Sequence, residues 1–278
     1  MVSTFSLPEL RCILPRVTLS VVLITQNEEG NLPRTLESVM PLVRDGKGEI
    51  IVVDSGSTDR TVEVAQSFGA KVFVEAWKGF AAQKNSAMDK ASMDWVLQLD
   101  ADERLEPELA SEMEIALIGS VTIGGFWIPR KNFFLGRWIR HGGFYPDPKL
   151  RLIRRGAGRF KEYGAHPTMK VNGPTRKLSR ALLHDAYPTL RGYIDHMNSY
   201  SSMGAEVAVA DGRRGFSVAD IVIRPLLTFI YNYFVRFGFL DGREGLLLHL
   251  YHSAYVSWKY AKAWEMSRQN VASITSTD

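Results

Sequence analysis

The chain has 278 residues, of which 45% are hydrophobic and 23% charged, values that are ordinary for a folded globular protein. Cys12 is the only cysteine, which excludes an intrachain disulfide and a metal site built from cysteines. The formal net charge of +4 fits an anionic substrate or an anionic membrane surface, but it does not select one of them.

The first residues do not have the pattern of a secretion signal. Pro8, Glu9, Arg11 and Pro15 interrupt the sustained apolar core that a signal peptide requires. The single cysteine favours a reducing compartment. We therefore expect a cytoplasmic protein.

Residues 19–99 alternate between short apolar runs and helical patterns. The apolar runs predict strands at residues 19–24, 49–53, 71–74 and 95–99, and helical spacing predicts helices at residues 32–43, from 58 or 59 to about 68, and 80–91. Thr58 or Asp59 is a credible cap for the second of these helices. Strands that alternate with helices in this way are typical of an α/β fold with a doubly wound, mainly parallel sheet.

Beyond residue 103 the pattern is less regular. It predicts a helix at residues 107–117, strands at 124–129 and 150–153, and an aromatic, basic loop at 132–143. From about residue 189 the chain is predicted to be helical, with long helices at residues 217–240 and 245–264.

The longest apolar stretch, residues 221–240, has about the length of a membrane span. Arg224, Pro225, Asn232 and Arg236 interrupt it, and charged residues are costly at the middle of a bilayer, so we do not expect a true span. Two alternatives stay open. The C-terminal helices lie in the membrane interface, or they form a helical subdomain that packs on the sheet or in a dimer.

Polar residues follow three of the predicted strands. Residues 25–28 follow the first strand, Asp54 follows the second, and Asp100 and Asp102 follow the fourth. A parallel sheet brings these ends to one edge, where ligands collect. Because extended residues i and i+2 point the same way, both acids of the last pair could face one Mg²⁺ or Mn²⁺ ion. The alternative is a strand that runs into a solvated acidic turn.

Glycine-rich phosphate-binding motifs are missing. No G-x-G-x-x-G follows the first strand and no G-x-x-x-x-G-K-[ST] occurs in the chain, which argues against dinucleotide-binding and P-loop proteins. The remaining prediction is a nucleotide held by carboxylates, with its diphosphate bound through a divalent metal. Such a metal neutralises the charge that grows on a nucleoside diphosphate as it leaves.

Four blocks of sequence carry a specific resemblance. They are Leu-Ile-Thr-Gln-Asn-Glu-Glu from residue 23, Ile-Val-Val-Asp-Ser-Gly-Ser-Thr-Asp-Arg-Thr from 51, Gln-Lys-Asn from 83 and Leu-Asp-Ala-Asp-Glu from 99. In this order and spacing they resemble the family-2 glycosyltransferases of the GT-A fold. The run Gly-Gly-Phe-Tyr-Pro-Asp-Pro-Lys-Leu-Arg-Leu from residue 142 resembles the branch that builds the lipopolysaccharide inner core, which includes β-1,4-glucosyltransferases.

The resemblance implies a nucleotide-sugar site and a metal ligand. The implied nucleotide-sugar contacts come from Thr25, Asn27 and Glu28 (uridine or ribose), Asp54 (base or ribose), Lys84 (base or phosphates), Asp100 (ribose or donor sugar) and the adjacent Ala101. Asp102 would be the principal ligand of Mg²⁺ or Mn²⁺. Judged from the residues alone, Lys84 is a solvated helix lysine, and strand alternation directs Glu103 away from Asp102, where it would brace the loop.

An inverting glycosyltransferase, as the resemblance implies, needs a base that deprotonates the acceptor hydroxyl. Many relatives in this branch have Val-His-Glu where this chain has Ala165-His166-Pro167, so a proline replaces the expected glutamate. Three candidates for the base stay open, namely Glu162, His166 and Asp147.

The resemblance as a whole implies transfer of a sugar, with glucose favoured, from a UDP-sugar to a lipid-linked acceptor, with the lipopolysaccharide inner core favoured. The enzyme would act at the inner face of the cytoplasmic membrane as a peripheral protein. Transfer to a polyprenyl phosphate is an alternative, which predicts two membrane spans after the catalytic domain. A non-catalytic nucleotide-sugar-binding scaffold is another, because of Pro167. No nucleic-acid partner is expected, and the oligomeric state is left open.

The predicted organisation has three parts. Residues 1–17 form a tail, and residues 18–195 form the catalytic domain (18–120 for the nucleotide sugar and 121–195 for the acceptor). Residues 196–278 form a helical region, for which the membrane interface is one of the two alternatives. The basic segment 130–140, with Arg151, Arg154 and Arg155, either grips a phosphorylated acceptor, rests on anionic lipid, or is a solvated basic face.

Overall fold

The computed structural model describes residues 18–275 except residues 119, 121, 162–166 and 214, and it describes side chains as far as residue 268. The chain divides into two compact units. Unit 1 comprises Met1–Ile128, Lys149–Phe160 and Met169–Leu182, and unit 2 comprises Pro129–Pro148, Lys161–Thr168 and Leu183–Asp278. The predicted boundary at residue 195 stays a prediction, although a helix runs across that position.

The elements in chain order are β1 (Leu19–Thr25), α1 (Leu32–Val43), β2 (Gly48–Asp54), α2 (Thr61–Ser67), β3 (Lys71–Val74), α3 (Phe80–Asp89), β4 (Trp95–Leu99), β5 (Glu103–Leu105), α4 (Pro107–Leu117), β6 (Gly125–Ile128), β7 (Arg130–Phe134), β8 (Arg137–Trp138), β9 (Lys149–Arg154), β10 (Gly158–Lys161), β11 (Thr168–Val171), β12 (Thr175–Lys177), β13 (Leu182–Tyr187), α5 (Leu190–Ala210), α6 (Arg224–Ile230) and α7 (Gly242–Thr275). π-helical turns Ala219–Ile223 and Tyr231–Val235 flank α6, and a 3₁₀ turn, Gly238–Asp241, precedes α7.

Unit 1 is built on a seven-stranded sheet with the order β12-β6-β9-β4-β1-β2-β3. The strands β4, β1, β2 and β3 are parallel neighbours, whereas β9 runs antiparallel between β4 and β6. The predicted α/β class with a mainly parallel sheet is therefore confirmed.

Alternate residues of the central strands enter two separate cores. Val21 and Val52 pack with α1 and α4 on one face, while Val22 and Ile51 pack with α3 on the other. A strand covered on both faces favours apolar residues on both of them, which explains the apolar runs in the sequence. The sheet is thus doubly wound, as predicted.

Unit 2 contains the neighbouring strands β13, β7 and β8 and the C-terminal helices. Along α5 and α7 the contacts include Lys262, whose Nζ donates to Asn198 O at 2.8 Å and Ser201 Oγ at 2.8 Å. No helix in the described part of the chain combines the length and the apolar character that crossing a bilayer demands.

Four predictions of local structure need correction. The predicted loop at residues 132–143 contains the end of β7 and all of β8. The helix predicted at 217–240 ends at Val235 and includes a π-helical turn on each side of α6. The last helix is longer than predicted and spans Gly242–Thr275. Helix α2 begins at Thr61, after Arg60, and Asp59 accepts the Thr61 backbone N–H at 3.0 Å from just outside the helix.

Candidate active site

The ends of β1, β2 and β4 lie side by side in unit 1. In the parallel register, Thr25 pairs with Asp54, and Leu23 pairs with Leu99, the residue before Asp100. The polar residues that follow these strands therefore share one sheet edge, as predicted.

Asp54 is fully buried and bonds to its own neighbourhood. Its Oδ1 accepts the backbone N–H groups of Gly56 at 3.0 Å and Ser57 at 2.7 Å. Its Oδ2 accepts the hydroxyls of Thr25 at 2.8 Å and Ser57 at 2.5 Å. These four donors match the acceptor capacity of a carboxylate, so Asp54 and Thr25 fix the shape of the loop after β2.

The loop after β1 is tied to the loop after β2. Asn27 has a left-handed backbone (φ 56°), which asparagine tolerates better than most residues. Its Oδ1 accepts the Thr58 backbone N–H at 2.8 Å, and its own N–H donates to Ser57 Oγ at 2.8 Å. The next backbone N–H, that of Glu28, donates to Thr61 Oγ1 at 2.7 Å. The two predicted nucleotide loops thus form one braced surface.

Asp100 lies between two cations. Lys84 Nζ donates to Asp100 Oδ1 at 2.6 Å, and Arg151 Nη2 donates to Asp100 Oδ2 at 2.5 Å. Burial opposes ionisation, but the charges of Arg151 and Lys84 hold the pKa of Asp100 well below its usual range. Burial also lowers the pKa of Lys84, against the attraction of Asp100. Lys84 is 7% exposed, so it is not a solvated helix lysine.

Arg151 is the residue of this sheet edge whose position the sequence analysis did not predict. It is 5% exposed, and it also donates to Glu103 Oε1 at 2.6 Å and to Gln98 Oε1. Burial opposes its charge, but Asp100 and Glu103 raise the pKa of Arg151. A guanidinium that is buried among acids does not lie at a lipid surface. Arg151 instead balances the acids of the site.

Glu103 braces the acidic loop, as predicted. It is fully buried, and its Oε2 accepts the Asp100 backbone N–H at 3.1 Å. The next residue of the loop, Ala101, is also buried, and its carbonyl oxygen accepts the hydroxyl of Thr35 at 2.6 Å. These contacts fix the backbone on both sides of Asp102.

Asp102 lies half-buried in the turn between β4 and β5. Burial raises the pKa of Glu28, a hydrogen bond from Asn31 opposes that rise, and the negative charges of Asp102, Asp59 and Asp100 add to it. The negative charges of Asp100 and Asp102 therefore act on Glu28 across the sheet edge. Within the described residues, no group of three or more His, Cys, Asp or Glu side chains could by itself hold a metal ion.

Of the three candidate bases, only Asp147 lies in the described part of the chain, since Glu162 and His166 fall outside it. Asp147 belongs to unit 2, where its Oδ2 accepts Arg130 Nη2 at 2.6 Å, Arg130 Nε at 3.0 Å and Asn132 Nδ2 at 3.3 Å. It lines a cavity of about 160 Å³ together with His184, whose Nδ1 lies 2.6 Å from Asn132 Oδ1.

Comparison with known proteins covers most of the chain. The model of glycosyl transferase family 2 matches residues 20–171. The lipopolysaccharide core biosynthesis glycosyltransferase LpsC of Rhizobium meliloti is 29% identical over 260 residues, which cover 91% of this chain and 94% of that protein. A protein of Rickettsia bellii described only as a glycosyltransferase is 45% identical over 262 residues, which cover 90% of this chain and 87% of that protein.

Solved structures are similar at lower identity. S. aureus TarS 1–349 in complex with UDP-GlcNAc has a TM-score of 0.49 and 16% identity, over 91% of this chain and 92% of that one. The mannosyltransferase PcManGT from Pyrobaculum calidifontis, in complex with GDP-Man and Mn²⁺, has a TM-score of 0.47 and 16% identity, over 95% of this chain and 76% of that one.

Proposed function

The chain belongs to glycosyl transferase family 2, and from that premise we propose that it transfers a sugar from a UDP-sugar to a lipid-linked acceptor. The observation that carries the proposal is the shared edge of β1, β2 and β4. There Asp100 and Asp102 follow one strand beside the braced loops of its neighbours. This is the position at which open α/β sheets bind ligands.

We propose that the predicted residues form the donor site, and their contacts in the structure make the role of each more specific. Lys84, which is buried, and Asp100, which is partly exposed, form an ion pair, so they offer the ribose or the donor sugar a fixed acceptor and a fixed charge. The nucleoside is proposed to lie against the loop that begins at Thr25 and the loop that begins at Asp54. A ribose hydroxyl that contacts Asp54 must replace one of its four present donors.

Asp102 is the proposed metal ligand. One half-buried carboxylate near two other acids suits Mg²⁺ or Mn²⁺, because these ions are commonly held by one or two carboxylates together with substrate phosphates. The absence of a three-residue cluster among the described residues agrees with that mode of binding. When bound, the ion would supply positive charge to the diphosphate leaving group.

The proposed reaction inverts the anomeric carbon. A base removes the proton of the acceptor hydroxyl as its oxygen attacks that carbon, the new C–O bond forms, and the bond to the diphosphate breaks. Glu162, His166 and Asp147 remain the proposed candidates for the base. Asp147 has a cavity beside it in unit 2, and Arg130 fixes the orientation of its carboxylate.

The acceptor is proposed from the relatives. The similarity to LpsC extends over 91% of this chain, which favours a saccharide of the lipopolysaccharide core, with glucose as the proposed donor sugar. Transfer to polyprenyl phosphate implies two membrane spans, and the described helices provide none. We propose that the enzyme meets this lipid-linked acceptor at the inner face of the cytoplasmic membrane.

The test is a transfer assay with UDP-glucose and lipopolysaccharide core acceptors, for the natural sequence and for D102N. We expect D102N to lose activity at least about 100-fold, since a lost electrostatic group at a reacting centre typically costs this much. D89N, at an exposed acid on α3, is the matched control and should keep full activity.

A second measurement separates metal binding from activity. Mn²⁺ added with UDP should raise the melting temperature of the natural sequence and of D89N but not that of D102N. Full activity of D102N would contradict the metal assignment. No activity of the natural sequence with any UDP-sugar would favour the non-catalytic scaffold.

A further inference from the structure

The C-terminal unit exposes an unusual amount of apolar surface. Of the 22 large hydrophobic side chains that are exposed in the described part of the chain, 15 lie between residues 216 and 250. Soluble monomers seldom leave large apolar patches uncovered, and such patches mark sites of interaction. We call residues 215–250 the apolar segment.

The local structure explains why these side chains are uncovered. From Ala219 to Val235 the chain is one helical stretch, with α6 between two π-helical turns, and Pro225 is its only buried residue. Leu226, Leu227 and Phe234 are each more than half exposed. The stretch is helical and apolar, and although α7 packs against part of it, the described residues of unit 2 leave most of its large apolar side chains exposed.

The charges of the apolar segment have one sign at the surface. Its exposed charged side chains are Arg224, Arg236 and Arg243, and none of its described carboxylates is exposed. Asp220 is half-buried and lies 2.9 Å from Arg224, and Asp241 is buried. The segment therefore presents apolar groups and cations together.

Asp241 also connects Arg140 and His141, which follow β8, to this segment. It accepts the backbone N–H groups of Arg140 at 3.1 Å and His141 at 2.8 Å. Arg140 lies over the ring of Trp138, with 4.6 Å from its guanidinium carbon to the ring centre, and both Arg137 and Arg140 are exposed. Two further arginines and an aromatic ring thus lie beside the apolar segment.

We propose that the apolar segment is a lipid-binding surface that inserts its exposed leucine, isoleucine and phenylalanine side chains into the interface of a membrane rich in anionic lipid. Interfacial helices combine apolar side chains that enter the acyl boundary with arginines that contact head groups. Tyr231, with Arg236 at 5.8 Å from its ring centre, suits the head-group level.

A second copy of the chain is a less suitable partner. In a two-fold dimer the same surface faces itself, so the exposed arginines would meet arginines. Like charges at an interface disfavour association. An anionic bilayer instead satisfies both the apolar side chains and the cations.

The lipid-binding surface serves the proposed function, on which the inference rests, because a membrane surface presents the lipid-linked acceptor to the enzyme. Vesicle flotation tests it without any sugar donor. The full chain should float with vesicles of phosphatidylcholine and phosphatidylglycerol, and should bind vesicles of phosphatidylcholine alone at least about tenfold more weakly. Added salt should weaken the first interaction, since salt screens surface charge.

Two sets of variants examine the two parts of the surface. L227E/F234E should reduce flotation at least about tenfold, while I115E/I118E, at exposed apolar residues of unit 1, should float as the natural sequence does. R236Q/R243Q should weaken binding to the anionic vesicles only. All three should keep the melting temperature and UDP-sugar hydrolysis of the natural sequence, because the altered side chains are exposed.

Several outcomes would overturn the inference. It fails if the natural sequence does not float with anionic vesicles, or if L227E/F234E floats equally well. It also fails if sedimentation velocity shows a dimer that L227E/F234E dissociates, because the segment would then bind a second copy. Loss of transfer without loss of flotation would count against the proposed function alone.

Discussion

Arg151 and Asp100 form an ion pair with 2.5 Å between Nη2 and Oδ2, although their positions in the sequence are 51 residues apart. The same guanidinium contacts Glu103, which is fully buried. Strand β9 brings Arg151 to this place because it runs antiparallel to β4, the strand that ends at Asp100. One arginine therefore balances two acids next to the proposed metal ligand.

Replacing Arg151 should destabilise the fold. R151M leaves Glu103 buried without the guanidinium, and breaking such a pair typically costs about 3–5 kcal/mol. R151K should lose less, since an ammonium keeps the charge but cannot contact both acids as a planar fork does. Urea unfolding measures both.

The matched control is R159M. Arg159 and Asp89 form an ion pair at 2.7 Å, but both side chains are more than half exposed. Exposed pairs contribute about 1 kcal/mol or less. Equal losses of unfolding free energy in R151M and R159M would contradict a structural role for Arg151.

Two substitutions at Asp54 separate its role in the loop from its proposed contact with the nucleoside. D54A leaves buried donors of Gly56, Ser57 and Thr25 unpaired and should cost about 3 kcal/mol of unfolding free energy. D54N keeps an oxygen for the two backbone donors, and its amide can face the hydroxyls, which accept as well as donate. D54N should therefore fold.

The affinity of D54N for UDP then decides the proposed contact. If Asp54 accepts a hydrogen bond from the base or the ribose, D54N should bind UDP at least about tenfold more weakly, as loss of a hydrogen bond to a charged group predicts. Isothermal titration calorimetry measures this. Unchanged affinity for UDP would show that Asp54 stabilises the loop but does not contact the nucleoside.

The position of the sheet and of its acidic edge could be predicted from the sequence, because strands buried on both faces are mostly apolar and end at polar turns. The ion pairs that Lys84 and Arg151 form with the acids of that edge could not be predicted. In the sequence, Lys84 resembles a surface lysine of a helix and Arg151 resembles part of a basic strand. Only the pairing of β9 with β4 brings Arg151 to the acids. The loop at 132–143 was also wrong, because its short strands are only partly buried and lack alternation.

The base can be identified by comparing D147N, E162Q and H166Q in the transfer assay. General base catalysis contributes about 10²–10⁴-fold, so the variant of the true base should lose that much in kcat and keep its affinity for UDP. The other two should retain kcat within about tenfold. If all three retain kcat, none of these residues is the base.

His249 should make the stability of the chain depend on pH. It is 1% exposed, and within the described residues neither ring nitrogen has a hydrogen-bond partner. Burial, with the nearby charge of His252, lowers the pKa of His249 to about 4. The unfolded chain protonates this ring near pH 6.5, so between pH 6.5 and 4 the unfolded state binds more protons and stability falls as the pH falls.

The expected loss across that range is about 3 kcal/mol, at 1.36 kcal/mol for each pKa unit. Urea unfolding at several pH values measures it. H249Q should be less stable at pH 7, because Gly142 and Gly238 pack closely against the ring, but its stability should change less between pH 6.5 and 4. Glu49, whose pKa is lowered from 4.5 to about 2, contributes to the pH dependence of stability mainly below pH 4.5. Equal pH dependence of the unfolding free energy in H249Q and in the natural sequence would show that His249 is not its source.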